Sequence, residues 1–484
     1  MRSVGTSSAW ESRQLSRPRL TAGVFLLVGL MGAVFISPAA ADTQSDAEWL
    51  QYRHVATKNA VITTDSDVFT GELSTPNQVR ATPVVADGKV FVGNHDSGDL
   101  QAFDLSTGEQ LWHAQAPNWV HSEMIYHDGH VYVGYGNRFF QDNGLRGTGE
   151  SGVLCLDAES GEVAWQYDTP GEVMPTPAVV DGSLYVVTGD RHLYQLDPQT
   201  GEERSVTEIG HTVSMSAPAV AGSMLYFGSG APQPYTFFAY DTSAGDFAWS
   251  TPFEDFRAGL DDVPPAVADG IVVTTANRGI PDTSSGQTRA EHVAIAMDAE
   301  TGEVLWQKDV GIGERPKNNR SGAPIIAGGT VFFGSPTTKR AYAYDLHSGE
   351  QLWSYDTGPI KGAPVAKDGT VFFSTTEGKL FALDAGTGQK QGEIQLSEEP
   401  LAPAGPIIVN DTLVVSSQDT NVYMLPISEV TAGDAGADSS NAAQASDASD
   451  AGAPWGWIGG GIGAVVIILV LAGVILMRKQ RRRT

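Results

Sequence analysis
Between residues 76 and 426 the apolar residues stand in short runs rich in Val, Ile, Tyr and Phe, closed by pairs such as Asp-Gly or Thr-Gly. Runs of this kind, bounded by turn pairs, predict β-strands joined by hairpins, and no long helical period interrupts them. The runs come in groups of four. One ends at Asp-Gly (Asp87-Gly88 is the first), one follows it, one ends at a recurring Asp, and the last carries a Trp. The group returns at a spacing of roughly 40–55 residues, the mark of a repeat array. Four-stranded units at that period are propeller blades.

The most regular phrase is Asp-x-x-x-Gly, at Asp104-Gly108, Asp157-Gly161, Asp197-Gly201, Asp241-Gly245, Asp298-Gly302, Asp345-Gly349 and Asp384-Gly388. Five copies continue to a Trp: Trp112, Trp165, Trp249, Trp306 and Trp353. The Asp can bond the amides of its own turn, and the Gly suits a left-handed position. A Trp on the outermost strand offers a large plate on which the next blade can dock. Upstream Pro landmarks and one variant start at 124–129 give eight starts, hence eight units. The eighth lacks an outer strand, and 67–74 reads as an outer strand without inner ones. Pairing of 68–74 beside 421–425 would close the ring and remove its exposed edges.

The phrase Ala-x-Asp-x-x-x-Gly-x-x-x-Trp resembles the docking motif of the PQQ-like, quinoprotein-type eight-bladed propellers. The leading Ala stands at Ala102, Ala239, Ala296, Ala343 and Ala382, and the resemblance spans about residues 47–426. It implies an all-β, eight-bladed fold. The propeller lipoprotein of the bacterial outer-membrane β-barrel assembly machinery is similar in fold. This chain departs from it in having no cysteine for lipidation and in adding an apolar C-terminal segment. Quinone dehydrogenases of this resemblance add a vicinal Cys-Cys ring, a stacking Trp and a Glu/Asn/Asp calcium site. The single Cys155 excludes such a ring, and its place in the repeat, where Ala102 and Ala382 stand, marks it as a small core residue.

The ends carry different signals. Residues 1–41 read as a secretory signal peptide, with Arg13, Arg17 and Arg19 before an apolar run and Ala39-Ala40-Ala41 after it. The propeller is expected over 42–426 and a disordered Ala/Asp/Ser/Gly-rich linker over 427–454. The segment 455–477, with its apolar stretch at 458–477, is long enough to span a bilayer. The basic tail 478–484 places the C-terminal side in the cytoplasm and the propeller outside, a single-pass arrangement in the cell membrane. A net charge of −27 excludes nucleic acid as a partner.

Successive antiparallel strands reverse direction, so the Asp-Gly and Asp-x-x-x-Gly turns share one face. The connections between second and third strands, and between blades, share the other. The longest are expected at 135–152 and 276–292, with a smaller one at 230–236. Insertions on one face are where a ligand or partner protein is expected. On that face the inner strands begin with Arg80, His121, Met174, Met215, Asp262, Ser321, Lys361 and Pro403, flanked by Glu123, Asp261, Asn319 and Arg320. This mixed ring predicts either a polar funnel for a protein or small ligand or the ordinary wet lining of a propeller channel. Asp261, Asp262 and Glu123 are weak calcium candidates without a spacing pattern. No catalytic residues and no metal site are assigned. The expectation is a non-catalytic binding or scaffolding module with no cofactor. The alternative is a PQQ-dependent dehydrogenase lacking the disulfide, with PQQ and calcium.

Overall fold
Eight antiparallel sheets follow one another around a ring in a computed structural model that describes residues 43–45, 48–280, 289–318, 321–401 and 403–432. Blade 1 sets the pattern: Val84–Ala86, Lys89–Gly93, Asp99–Asp104 and Gln110–Gln115, each paired with the next. Blades 2 to 7 start at Ile125, Ala178, Ala219, Ala266, Ile325 and Val365. Blade 8 is made from both ends of the ring. Ile407–Val409, Thr412–Ser416 and Asn421–Pro426 supply three strands, and Gly71–Ser74 pairs antiparallel with Asn421–Pro426 as the fourth. The expected closure is therefore present. Val61–Thr63 adds to the inner edge of the same sheet in parallel, with Thr43–Ser45 beyond it. The leader at 1–41 and everything beyond 432, including 455–477, lie outside the described residues. Among the described residues no helix is long and apolar enough to cross a membrane.

The local chemistry explains the repeat. Asp87 and Gly88 both adopt positive φ, as the two central residues of a type I′ hairpin must. In the second turn, Asp104 Oδ1 accepts from the amides of Ser106 and Thr107 at 2.9 and 2.8 Å, while Gly108 N donates to Asp104 O at 2.9 Å. All five Trp side chains dock as expected. The indole of Trp112 donates to Ala158 O at 2.9 Å, Trp165 to Pro198 O at 3.0 Å, and Trp249 to Ala299 O at 3.0 Å. Trp306 donates to Leu346 O at 2.8 Å and Trp353 to Ala385 O at 2.9 Å. Each acceptor follows the recurring Asp of the next blade. The ring lies flat on that blade's Gly: a Cβ on Gly302 would stand 2.5 Å from Trp249. The Gly is thus required twice, by its φ of +74° and by the plate above it.

In blades 7 and 8, where the Trp is missing, other groups take its place. At the closing seam Phe69 lies over Gly108, and its amide donates to Leu105 O at 2.8 Å. In blade 7 the Trp position is Gly392, paired with Ala382 as Trp112 is with Ala102. There a short helix, Ile427–Ala432, packs against the outer strand, with buried Val430 seated on the bare Gly392. The first six residues assigned by sequence to the linker therefore belong to the propeller. Sequence pattern fails here because a one-turn helix has too few positions to show a period.

The interior is a set of apolar layers between blades. Cys155 sits in one of them, fully buried against Tyr132 at the register position of Ala102. Burial pushes its thiol up to about 12.

Candidate functional site
The central channel is closed from within by the segment 49–62. This stretch passes blades 2 to 8 in order and bonds the middle residue of each inner strand. Trp49 exchanges both backbone bonds with Tyr126, and Leu50 O accepts from Val179 N. Gln51 holds both polar groups of Val220 with its side-chain amide, and Asn59 does the same to Ala366. Ala56, Thr57 and Ala60 present carbonyls to Val267, Ile326 and Ile408 at 2.9–3.0 Å. A side-chain amide carries one donor and one acceptor, so it substitutes for a peptide where the backbone cannot follow the circle.

The turns of this plug place Arg53 and Lys58 at the axis, both at 0% exposure. Arg53 donates to Lys58 O at 2.8 Å, Pro364 O at 2.7 Å and Pro406 O at 2.9 Å. Lys58 Nζ donates to Gln51 Oε1 at 2.9 Å and Tyr52 O at 3.0 Å. Glu123 is the counter-charge: its Oε2 accepts from Arg53 N at 2.9 Å. Burial raises Glu123 to about 7 and lowers Lys58 to about 7. Glu123, expected at the mouth, is 2% exposed and serves mainly to anchor the plug.

Above Tyr52 the channel widens into a cavity of about 510 Å³ of empty space, part of it open to solvent. Its wall contains the whole ring expected from sequence: Arg80, His121, Met174, Met215, Asp262, Ser321, Lys361 and Pro403. An outer vestibule adds Arg138, Phe140, Arg146, Tyr235, Asp261 and Lys317. The expected Asn319 and Arg320 lie outside the described residues. Asp261 is at the rim, and its carbonyl receives the amides of Met215 and Ser216 at 2.7 and 3.0 Å.

The electrostatics sort these groups. His121 packs edge-on to His95, ring centroids 3.7 Å apart. Burial, then His95 and Arg80, hold His121 well below its ordinary value, so it lines the mouth as a neutral ring. Burial and Arg80 likewise hold His95 down to about 4, although Asp96 contacts it. Arg146 Nε stands 2.8 Å from Glu172 Oε1, and Arg146 also bonds Ser214. Burial raises Glu172 to about 8 despite Arg146, with Asp261 and Asp262 adding to the rise. Arg138 donates to Asn318 Oδ1 at 3.2 Å. The side chains of Arg80, Asp262 and Lys361 make no hydrogen bond or ion pair among the described residues.

Of the insertions expected on this face, the mouth is lined by residues of 135–152 and by Tyr235 of the smaller one. The former runs from Tyr135 to Gly152, as expected, and exposes Phe139 and Phe140. The insertion at 276–292 differs from expectation. Ile271–Ile280 and Arg289–Asp298 stay paired out to Ile280 opposite Arg289, so most of 276–292 outside 281–288 is strand. Arg278 stabilises the extension: it meets Asp255 and Asp309 at 2.5 Å and Glu291 at 3.0 Å. Sequence pattern also does not single out the plug or the Arg146–Glu172 pair. The available signal for the plug is an Arg and a Lys in an otherwise apolar and amide-rich stretch; for Glu172 it is its place two residues before Met174.

A quinone held by calcium has poor support here. Cys155 lies in an inter-blade layer, and among the described residues no three His, Cys, Asp or Glu side chains gather to hold a cation.

Residues 56–148, 136–231 and 205–429 match the family described as outer membrane protein assembly factor BamB. The chain belongs to the BamB family. A BamB from Burkholderia pseudomallei is 26% identical over 374 residues, covering 74% of this chain and 86% of that protein. The tetrathionate hydrolase of Acidithiobacillus ferrooxidans is also 26% identical over 374 residues, 72% of this chain and 73% of that one. Among solved structures, BamB from Moraxella catarrhalis aligns with a TM-score of 0.53 at 16% identity, over 73% of this chain and 95% of that one. The quinohemoprotein alcohol dehydrogenase of Comamonas testosteroni aligns with a TM-score of 0.57 at 15% identity, over 80% and 81%. At such identities these two structures speak for the propeller alone. The BamB family thus supplies the architecture, and the mouth must supply the function.

Proposed function
We propose that this BamB-family propeller is a non-catalytic binding or scaffolding module that works through its insertion face outside the cytoplasmic membrane. The observation that carries the reading is the mouth itself. It is a cavity over the plug, edged by the 135–152 insertion, and among the described residues its wall carries charged side chains that lack partners and no nucleophile–base pair. Such a cavity offers recognition rather than chemistry. The relatives named as assembly factors support it. The sequence of 1–41 and 455–477 adds an export signal and a single membrane span, with the tether beyond 432 holding the ring near the surface and 478–484 in the cytoplasm. No cofactor is required.

A second reading has one supporting observation. Arg80 and Lys361 stand unpaired in the cavity, and tetrathionate, the substrate in a relative's name, is a dianion. A hydrolase acting on such an anion would use the same mouth. The quinone dehydrogenase reading, with PQQ and calcium, would use it as well. Three assays separate these. Asp262→Lys and Lys361→Glu should alter partners cross-linked in intact membranes without moving the unfolding midpoint. Tetrathionate consumption, or dye reduction by the protein with PQQ and Ca²⁺ on alcohols or sugars, would overturn the module reading. Protease added to intact cells should release the propeller by cutting in 433–454, and protection there would reverse the topology.

A further inference from the structure
The eight ring positions are not equivalent, and their order around the channel creates two poles. Arg80 opens blade 1 and Asp262 opens blade 5, so they face each other across an eight-bladed ring. Lys361 opens blade 7, midway between them, with Ser321 of blade 6 on its Asp262 side and Pro403 of blade 8 on its Arg80 side. Met174 and Met215, from blades 3 and 4, give the wall between the poles an apolar surface. Of the other charges nearby, Arg146 meets Glu172, Arg138 meets Asn318 and Glu123 meets the plug, while Lys317 lies farther out in the vestibule. Among the described residues of the inner wall, the side chains of Arg80, Lys361 and Asp262 have no hydrogen bond or ion pair, and Arg80 Nε is buried.

Half-buried charges without partners cost stability, and a ligand that brings the opposite charges recovers that cost on binding. Lys361 feels this directly. Burial and Arg80 hold its ammonium below the usual range, and Asp262 opposes them only in part. The cavity is bounded at its inner end by Tyr52 of the plug.

Building on the module reading, we propose that the mouth receives a small zwitterion, a free amino acid or dipeptide. Its carboxylate lies against Arg80 and Lys361, its ammonium against Asp262, and its apolar side chain on the two methionines. Two cations for one carboxylate and one anion for one ammonium match the unpaired groups. A plain anion would leave Asp262 unpaired and close to it, and a plain amine would meet Arg80 and Lys361.

The test is calorimetric titration of the full-length protein in detergent with leucine and leucyl-leucine, against N-acetyl-leucyl-leucine and leucyl-leucine amide. At least one zwitterion should bind about tenfold or more tightly than either blocked form. Asp262→Asn should abolish the preference for a free amine and keep that for a free carboxylate. Arg80→Gln should do the converse, with unchanged unfolding midpoints in both. Equal binding of the N-acetyl form would overturn the proposal in favour of a simple anion site. Absence of binding by every compound at millimolar concentration would overturn it too, while the module reading survives if Lys361→Glu still alters partner capture. Binding of the zwitterion followed by its conversion to a new product would support the site and sink the non-catalytic reading.

Discussion
Two glycines in blade 5 separate the strain of a turn from the docking of a neighbour. Gly270 and Gly302 have nearly the same φ, +73° and +74°, so an alanine at either pays the same left-handed strain. That strain is about 1–2 kcal/mol. A methyl on Gly270 meets nothing within 4 Å, whereas one on Gly302 would stand 2.5 Å from the Trp249 ring and 2.8 Å from Thr251 Oγ1. Overpacking of that kind adds about 1–3 kcal/mol. Gly270→Ala should therefore cost about 1–2 kcal/mol and Gly302→Ala about 2–5 kcal/mol. Urea unfolding followed by circular dichroism reads both from the midpoint, provided the slope m is unchanged. The decisive arm is the double variant. In a Trp249→Ala background the plate is gone, and Gly302→Ala should fall toward the Gly270→Ala cost, the Thr251 Oγ1 contact alone remaining. Equal costs for the two glycines in the parent, or an undiminished Gly302→Ala cost without Trp249, would refute the docking argument.

Trp306→Ala should cost about 3–5 kcal/mol in the same assay, from lost packing and the stranded Leu346 carbonyl; an unchanged midpoint would count against the blade interface. Arg53→Ala leaves the carbonyls of Lys58, Pro364 and Pro406 without their donor and Glu123 with Lys58 as its remaining counter-charge, and should cost about 3–5 kcal/mol. Stability equal to the parent would mean the plug is not held at the axis. Burial raises Glu172 from 4.5 to about 8 in the folded protein. A raised folded value means its contribution is complete below pH 4.5 and is lost as pH rises through about 8. Glu172→Gln should therefore flatten the decline in stability between those limits, and an unaltered pH profile would show that another group governs it. Cys155, buried and raised to about 12, should resist iodoacetamide at neutral pH in the native protein and react in denaturant; rapid native alkylation would contradict its placement.

The blades and the ring of first residues were legible because they repeat. Asp-Gly turns, Asp-x-x-x-Gly turns and Trp plates recur, and the partners of each lie within the same blade or the next. The plug was not legible for the opposite reason. Its bonds go one per blade, Gln51 to Val220 and Asn59 to Ala366, at separations of 169 and 307 residues. No period of two or 3.6 residues can record such a path. Phe69 and Val430 escaped notice because each replaces a Trp by position in space, with no matching phrase in sequence. His121 was readable as a mouth residue, but its neutrality follows from burial and then from His95 and Arg80, all of which only the fold supplies.

The shared blade also sets a clock on folding. Ser74 cannot meet Asn421 until 347 further residues have been made. At about 5–20 residues per second that interval is roughly 20–70 s. Throughout it the strand at Gly71–Ser74 is an open edge, and the stretch 49–62 has at most part of its circle to bind. Closing so long a loop carries its entropy cost before any late contact offsets it. A nascent chain stalled before residue 407 would hold up to seven blades and no ring, in a form open to strand capture by another copy.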